Sequence, residues 1–249
     1  MSIKTILVSQ PKPENDKNPY AALAEKYNLK IDFRPFIHVE GVDITEFRAQ
    51  RVDLKEHTAV ILTSKTAVDH YFRVALECRF EVPTTMKYFC ISEAVAYYLQ
   101  KYVTYRKRKI FHGKQTIMDL MDSMKKHKKE RFLLPCSDIL RDSIPETLDK
   151  NGINYSRVVL YKTVASDLSD LEDVYYDCLV FFSPSGIESL LKNFPKFKQN
   201  KTLLAAFGPT TAKAIVDNNL RLDIHAPQPQ APSMTMALEN FIKEAKKKK

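Results

Sequence analysis

Ser183-Pro184-Ser185-Gly186 and Gly208-Pro209-Thr210-Thr211 each follow an apolar run of strand length and lead straight into a segment of helical apolar periodicity. Such a turn presents hydroxyls and free helix N–H groups to whatever lies beyond the strand end, which is the chemistry of anion binding. Ser183 reads equally well as a helix N-cap with Pro184 in the first turn. Thr210 and Thr211 offer two hydroxyls where a cap needs one, and Gly208 allows close approach to the backbone. An earlier pair has the same layout: Leu62-Thr63-Ser64-Lys65, then Ile91-Ser92-Glu93. Two such pairs imply two similar domains serving one multiply anionic ligand.

The elements that must carry these turns alternate between short apolar strands and amphipathic helices, the pattern of doubly wound parallel sheets. Strands are predicted near Thr5, Lys30, Thr58, Tyr88, Lys109, Phe132, Cys178, Leu203 and Asp223. Helices are predicted over 19–27, 65–77, 93–102, 116–126, 137–151, 185–193, 209–218 and 233–245. Asn151-Gly152 reads as a helix end, and Ser233, after the Pro227 to Pro232 loop, as the last N-cap. Two extended runs, Ile31 to Val39 and Tyr155 to Val164, are longer than the other strands. They predict two crossings between domains: a discontinuous α/β domain of residues 1–34 and 165–249, an inserted α/β domain of 40–157, and linker strands at 35–39 and 158–164.

Composition narrows the function classes. With 249 residues and 44% hydrophobic content the chain can fill two cores, and no stretch is apolar for long enough to span a bilayer or serve as a signal peptide. A cytoplasmic protein with no membrane partner is expected. Cys78, Cys90, Cys136 and Cys178 lack C-x-x-C spacing and read as small apolar residues in a reducing compartment. The six histidines, among them His38, His57, His70 and His112, lack metal-ligand spacing, so no metal is expected. No G-x-S-x-G elbow, G-x-G-x-x-G turn or Walker loop occurs, and only five glycines are present, which weighs against hydrolase, dinucleotide and nucleotide readings. Much of the net charge of +9 sits at Arg106 to Lys109, Lys125 to Lys129 and Lys246 to Lys249. These clusters have few interleaved aromatics, so they read as a solvated basic surface, or as a field that draws in a polycarboxylate, and not as a nucleic-acid platform. The terminal lysines read as a frayed tail.

The order Val159-Leu-Tyr161-Lys-Thr-Val164, Phe181-Phe-Ser-Pro-Ser-Gly186, Phe207-Gly-Pro-Thr-Thr-Ala212 resembles the C-terminal half of uroporphyrinogen-III synthases. Ile6-Leu-Val8 with Pro11, Leu62-Thr63-Ser64 with Ala67-Val68, and Leu134-Pro135 with Arg141 and Leu148 resemble the family's earlier motifs. The resemblance implies two doubly wound, flavodoxin-like α/β domains joined by a two-stranded linker, with the site in the cleft between them and no cofactor. It implies a linear tetrapyrrole substrate, hydroxymethylbilane, closed to uroporphyrinogen III with inversion of ring D and loss of water. It further implies a monomer that meets hydroxymethylbilane synthase transiently. Tyr161 matches the family's linker tyrosine, a neutral donor able to hydrogen-bond the departing hydroxyl; the bland alternative is a strand tyrosine that packs. Thr63, Ser64, Ser92, Ser183, Ser185, Gly186, Thr210 and Thr211 are the expected substrate-binding set.

The chain departs from the family pattern at two turns. Ile91-Ser92-Glu93 stands where the family has Gly and Thr, which puts a carboxylate at a helix start, and Ser9-Gln10 stands where it often has Thr-Arg. The two functions that remain are the synthase itself and a non-catalytic protein of the same fold that binds a tetrapyrrole or another polycarboxylate.

Overall fold

The computed structural model describes residues 3–13, 18–140 and 143–247. In chain order, the first elements are β1 (Thr5–Val8), α1 (Pro19–Tyr27), β2 (Lys30–Phe33), β3 (Ile37–Gly41), α2 (Ile44–Ala49), β4 (Ala59–Leu62) and α3 (Lys65–Glu77). Then come β5 (Lys87–Cys90), α4 (Glu93–Tyr98), β6 (Ile110–His112), α5 (Met121–Lys126), β7 (Phe132–Ser137), α6 (Ser143–Lys150) and β8 (Tyr155–Ala165). The chain closes with β9 (Cys178–Phe181), α7 (Pro184–Asn193), β10 (Leu203–Phe207), α8 (Pro209–Asp217), β11 (Ile224–Ala226) and α9 (Met234–Lys247). It divides into two compact units, Met1–His38 with Val164–Lys249, and Val39–Thr163.

The terminal unit is a parallel sheet in the order β2-β1-β9-β10-β11. Its three central strands, β1, β9 and β10, are apolar on both faces, and alternate residues go to opposite cores. Ile6, Val8, Cys178, Val180, Leu203 and Ala205 pack with Leu23 of α1 and Leu238 and Ile242 of α9. Leu7, Leu179, Phe181, Leu204 and Ala206 pack with Ile187 and Leu190 of α7 and Ile215 of α8. Helices therefore cover both faces, which satisfies the apolar central strands.

The central unit carries a sheet in the order β6-β5-β4-β7-β8-β3, parallel across its first four pairings. One face, with Val60, Leu62, Leu133 and Leu160, meets Val68, Tyr71 and Val74 of α3. The other, with Ile61, Phe89 and Leu134, meets Met121 and Met124 of α5 and Leu148 of α6. In each unit the winding reverses beside its first strand, at β1/β9 and at β4/β7. Ligands of open α/β sheets bind outside the strand carboxyl ends at such reversals. The turns singled out in the sequence lie at those ends.

Four features differ from expectation. The extended run Ile31 to Val39 is two strands, because Pro35 offers no ladder donor and Phe36 turns inward, 1% exposed, against Phe181. The helix expected from Ser137 begins at Ser143 instead, since Ser137 remains paired with Tyr161 of β8. Arg141 and part of that expected helix lie outside the described residues. The terminal lysines are not all tail: α9 runs through Lys247, and the Lys246 ammonium stands 4.9 Å over the Tyr27 ring. Lys248 and Lys249 lie outside the described residues. The unexpected α2 opens at Asp43, whose carboxylate accepts from the N–H groups of Thr45 and Glu46 at 2.7 and 2.9 Å.

Candidate active site

In the central unit β4 delivers Thr63 and Ser64 at its carboxyl end. Ser64 is extended and caps α3, its Oγ accepting from Ala67 N–H at 3.0 Å. Ala67, Val68, Tyr71, Val74 and Ala75 bury the facing stripe of that helix, which fixes where the cap stands. The Ser64 Oγ lies 3.3 Å from the Tyr161 hydroxyl.

Tyr161 reaches Ser64 through an irregularity in β8. Strict alternation would send Tyr161 to the face opposite Val158 and Leu160, yet all three belong to one core cluster. The β7/β8 register pairs Cys136 with Val159 but Ser137 with Tyr161, so Leu160 is an extra residue in the strand. Such a bulge re-aims the side chain that follows it. The Tyr161 ring stacks on His70 of α3, with centroids 5.1 Å apart and planes 20° from parallel. Burial pushes the Tyr161 hydroxyl above its ordinary pKa, with the Ser64 hydrogen bond opposing in part. The phenol is neutral at physiological pH, and either hydroxyl can donate across the contact with Ser64.

The second turn of this unit is built differently. Ser92 caps α4, accepting from Val95 N–H at a long 3.4 Å, and α4 has six residues before it tightens into a 3-10 turn. Glu93 is exposed in the first turn of α4.

In the terminal unit Ser183 caps α7, its Oγ accepting from Gly186 N–H at 3.3 Å, with Pro184 in the first turn. Gly186 is buried there, and a Cβ on it would stand 3.3 Å from Phe181 and 3.8 Å from the Ser9 hydroxyl. Its part is close packing of α7 against the ends of β1 and β9, since its N–H already serves Ser183. Ser185 is half-buried in the same first turn. Gly208 takes φ 88°, a conformation that glycine adopts at little cost and an L side chain rarely adopts, and α8 starts there with no side-chain cap. Thr210 is exposed and Thr211 only 1% exposed, so the two hydroxyls do not serve a ligand equally. The structure places Ser64 with Tyr161, and Ser183 with Gly186 and Ser9.

Sequence reading missed His70 and Arg73 as neighbours of Tyr161. Burial and the Arg73 charge push the His70 pKa down, and its Nδ1 accepts from Arg73 Nε at 3.1 Å. The one local signal was their spacing, one helical turn apart on the helix that Ser64 caps.

A cavity of about 570 Å³ in the terminal unit is lined by Tyr176, Phe194, Phe197 and Thr202 among others, and by none of the expected site residues. It opens at the amino ends of β9 and β10, the wrong end of the sheet for a switch-point ligand. No described helix is long and apolar enough to cross a membrane.

Residues 18–236 match the family model of uroporphyrinogen-III synthase HemD. The chain is 31% identical over 139 residues to the uroporphyrinogen-III synthase of Saccharomyces cerevisiae, a match spanning half of each chain. It is 22% identical over 256 residues to that of Chlorobaculum parvum, covering 97% of this chain and 100% of the relative. Among solved structures, uroporphyrinogen-III synthetase from Helicobacter pylori superposes with a TM-score of 0.60 at 18% identity, covering 97% of this chain and 100% of that one. A mutant uroporphyrinogen III synthase from Thermus thermophilus gives 0.52 at 16%, covering 99% and 100%. These structures share the fold, and the family model supplies the rest: the chain belongs to the uroporphyrinogen-III synthase family of cyclising lyases.

Proposed function

We propose that this chain is a working uroporphyrinogen-III synthase that closes hydroxymethylbilane with inversion of ring D and loss of water. The carrying observation is the neutral Tyr161 phenol, largely buried and 3.3 Å from Ser64 at the carboxyl end of a doubly wound sheet. When the hydroxymethyl C–O bond breaks, the oxygen leaves with a proton as water and the remaining pyrrole system carries positive charge. A phenol that donates a hydrogen bond to the departing oxygen lowers that barrier without adding a cation nearby. The carbocation is then attacked by the α-carbon of ring D that already carries its bridge, giving a spiro intermediate. That bridge bond breaks, the freed carbon rejoins at the other α-position, and loss of a proton restores the pyrrole, so that water is the only net loss. Little else is asked of side chains beyond holding the chain ends in register.

The substrate's carboxylates suit helix starts better than lysines, because N–H dipoles bind anions without a full charge opposing the developing cation. Thr63, Ser64 and Ser92 serve this role in the central unit, and Ser183, Ser185, Thr210 and Thr211 in the terminal one, where Gly186 gives α7 its close approach. Family membership favours turnover over the binding-only alternative. The same reading makes the protein a cytoplasmic monomer that receives its substrate in transient contact with hydroxymethylbilane synthase, and needs no cofactor.

The test couples the protein to hydroxymethylbilane synthase and resolves the oxidised porphyrins. Predominantly type III product supports the proposal; only the type I isomer of the uncatalysed control sinks it.

A further inference from the structure

We propose that Arg73 is the positioning residue that aims Tyr161, and that His70 transmits the alignment to the phenol ring. This rests on the reading of Tyr161 as the group that assists water loss. Leu160 is the extra residue of the β8 bulge, so its carbonyl lies outside the regular β7 ladder. That carbonyl accepts from Val42 N–H at 3.0 Å and from the Arg73 guanidinium at 3.1 Å. The same Arg73 nitrogen donates to Val42 carbonyl at 2.8 Å, while Nε donates to His70 Nδ1 at 3.1 Å and the remaining nitrogen to Glu77 at 2.8 Å. One planar fork therefore ties the bulge, the chain after β3 and the ring stacked on Tyr161.

Arg73 also has a seat. A Cβ on Gly41 would stand 2.9 Å from the guanidinium carbon, so the close approach of this side chain depends on glycine there. Lysine cannot reproduce the arrangement, having a point charge where arginine has a rigid fork. The His70 ring must be neutral at Nδ1 to accept from Arg73, and Asp69, Glu77, Arg73 and Tyr161 are the titratable or charged groups facing it. Protonation removes the acceptor and sets a second cation beside the guanidinium, so acid loosens the ring that backs Tyr161.

Arg73→Lys is the principal test, read in two independent ways. Steady-state type III formation should show kcat lowered about tenfold with KM within about twofold, the pattern of misplacement and not of lost binding. The Tyr161 resonance of ζ-¹³C-tyrosine-labelled protein, assigned with Tyr161→Phe, should shift. Gly41→Ala, which displaces Arg73 without altering its chemistry, should reproduce both changes and stands in if Arg73→Lys does not fold. His70→Phe keeps a flat ring but removes the Nδ1 acceptor, so it should lower kcat toward the Arg73→Lys value and abolish the acid limb of the pH profile. Wild-type kcat with an unmoved resonance in both Arg73→Lys and Gly41→Ala overturns the proposal. Should the wild-type protein yield only type I porphyrin, the synthase reading fails, and the resonance still decides whether Arg73 sets Tyr161.

Discussion

The helix starts after β4 and β10 solve opposite problems. Ser64 places a hydroxyl on the Ala67 N–H in the first turn of α3, with the Tyr161 phenol beside that hydroxyl. Gly208 places nothing: α8 begins with a left-handed glycine at φ 88° and no side chain over its N–H groups. The capped start has one backbone donor, Ala67 N–H, occupied and offers an O–H pair suited to a departing hydroxyl. The bare start keeps its donors for an anion. On this reading helix starts in both units bind carboxylates, and the central one alone adds assistance of water loss. Ser92 and Ser183 sit between these extremes as ordinary caps, at 3.4 and 3.3 Å.

The largest effect should come from Tyr161→Phe. Removing the donor while keeping the ring should lower kcat for type III formation by roughly 100-fold and leave KM almost unchanged. Wild-type kcat would reduce Tyr161 to packing and erase the contrast. Gly208→Ala should be felt in binding: KM should rise several-fold, and left-handed strain of about 1–2 kcal/mol should appear in urea unfolding. Unchanged KM would remove α8 from the binding surface.

Ser183→Ala should cost about 1 kcal/mol of stability, the ordinary loss of a cap, with kcat within about twofold. A large kcat loss would move chemistry into the terminal unit. The smallest effect is on titration. Because burial raises the Tyr161 pKa, the folded protein holds that proton to higher pH than the unfolded chain does. Its contribution to stability is whole below about pH 10, the unfolded value, and is lost as pH rises through the folded one. A difference titration of wild type against Tyr161→Phe at the tyrosinate band should place this ionisation above that of free tyrosine. Ionisation at or below the ordinary value would contradict a neutral phenol.

Much of the fold was legible because strands buried on both faces leave a clear mark. β9 and β10 read as unbroken apolar runs bounded by turn residues, and every residue of β9 is buried. Ser64, Ser92 and Ser183 were legible for the same local reason, each standing one residue before an amphipathic helix. What could not be read depends on partners far along the chain. Tyr161 faces Ser64 only because β8 bulges against β7, and period-two reasoning puts it on the other face. Arg73 gains its meaning from the carbonyls of Val42 and Leu160, 31 and 87 residues away. Ser137 looked like a helix start until β8 paired with it. In each case a non-local hydrogen bond outweighed a local preference.

The division between the two helix starts is tested most directly by single-turnover ring closure with freshly made hydroxymethylbilane, its observed rate followed against substrate concentration for Tyr161→Phe and Gly208→Ala. Tyr161→Phe should saturate over the wild-type concentration range at a much lower plateau, and Gly208→Ala should approach the wild-type plateau only at higher concentration. A normal plateau for Tyr161→Phe, or a depressed plateau with unchanged saturation for Gly208→Ala, would contradict it.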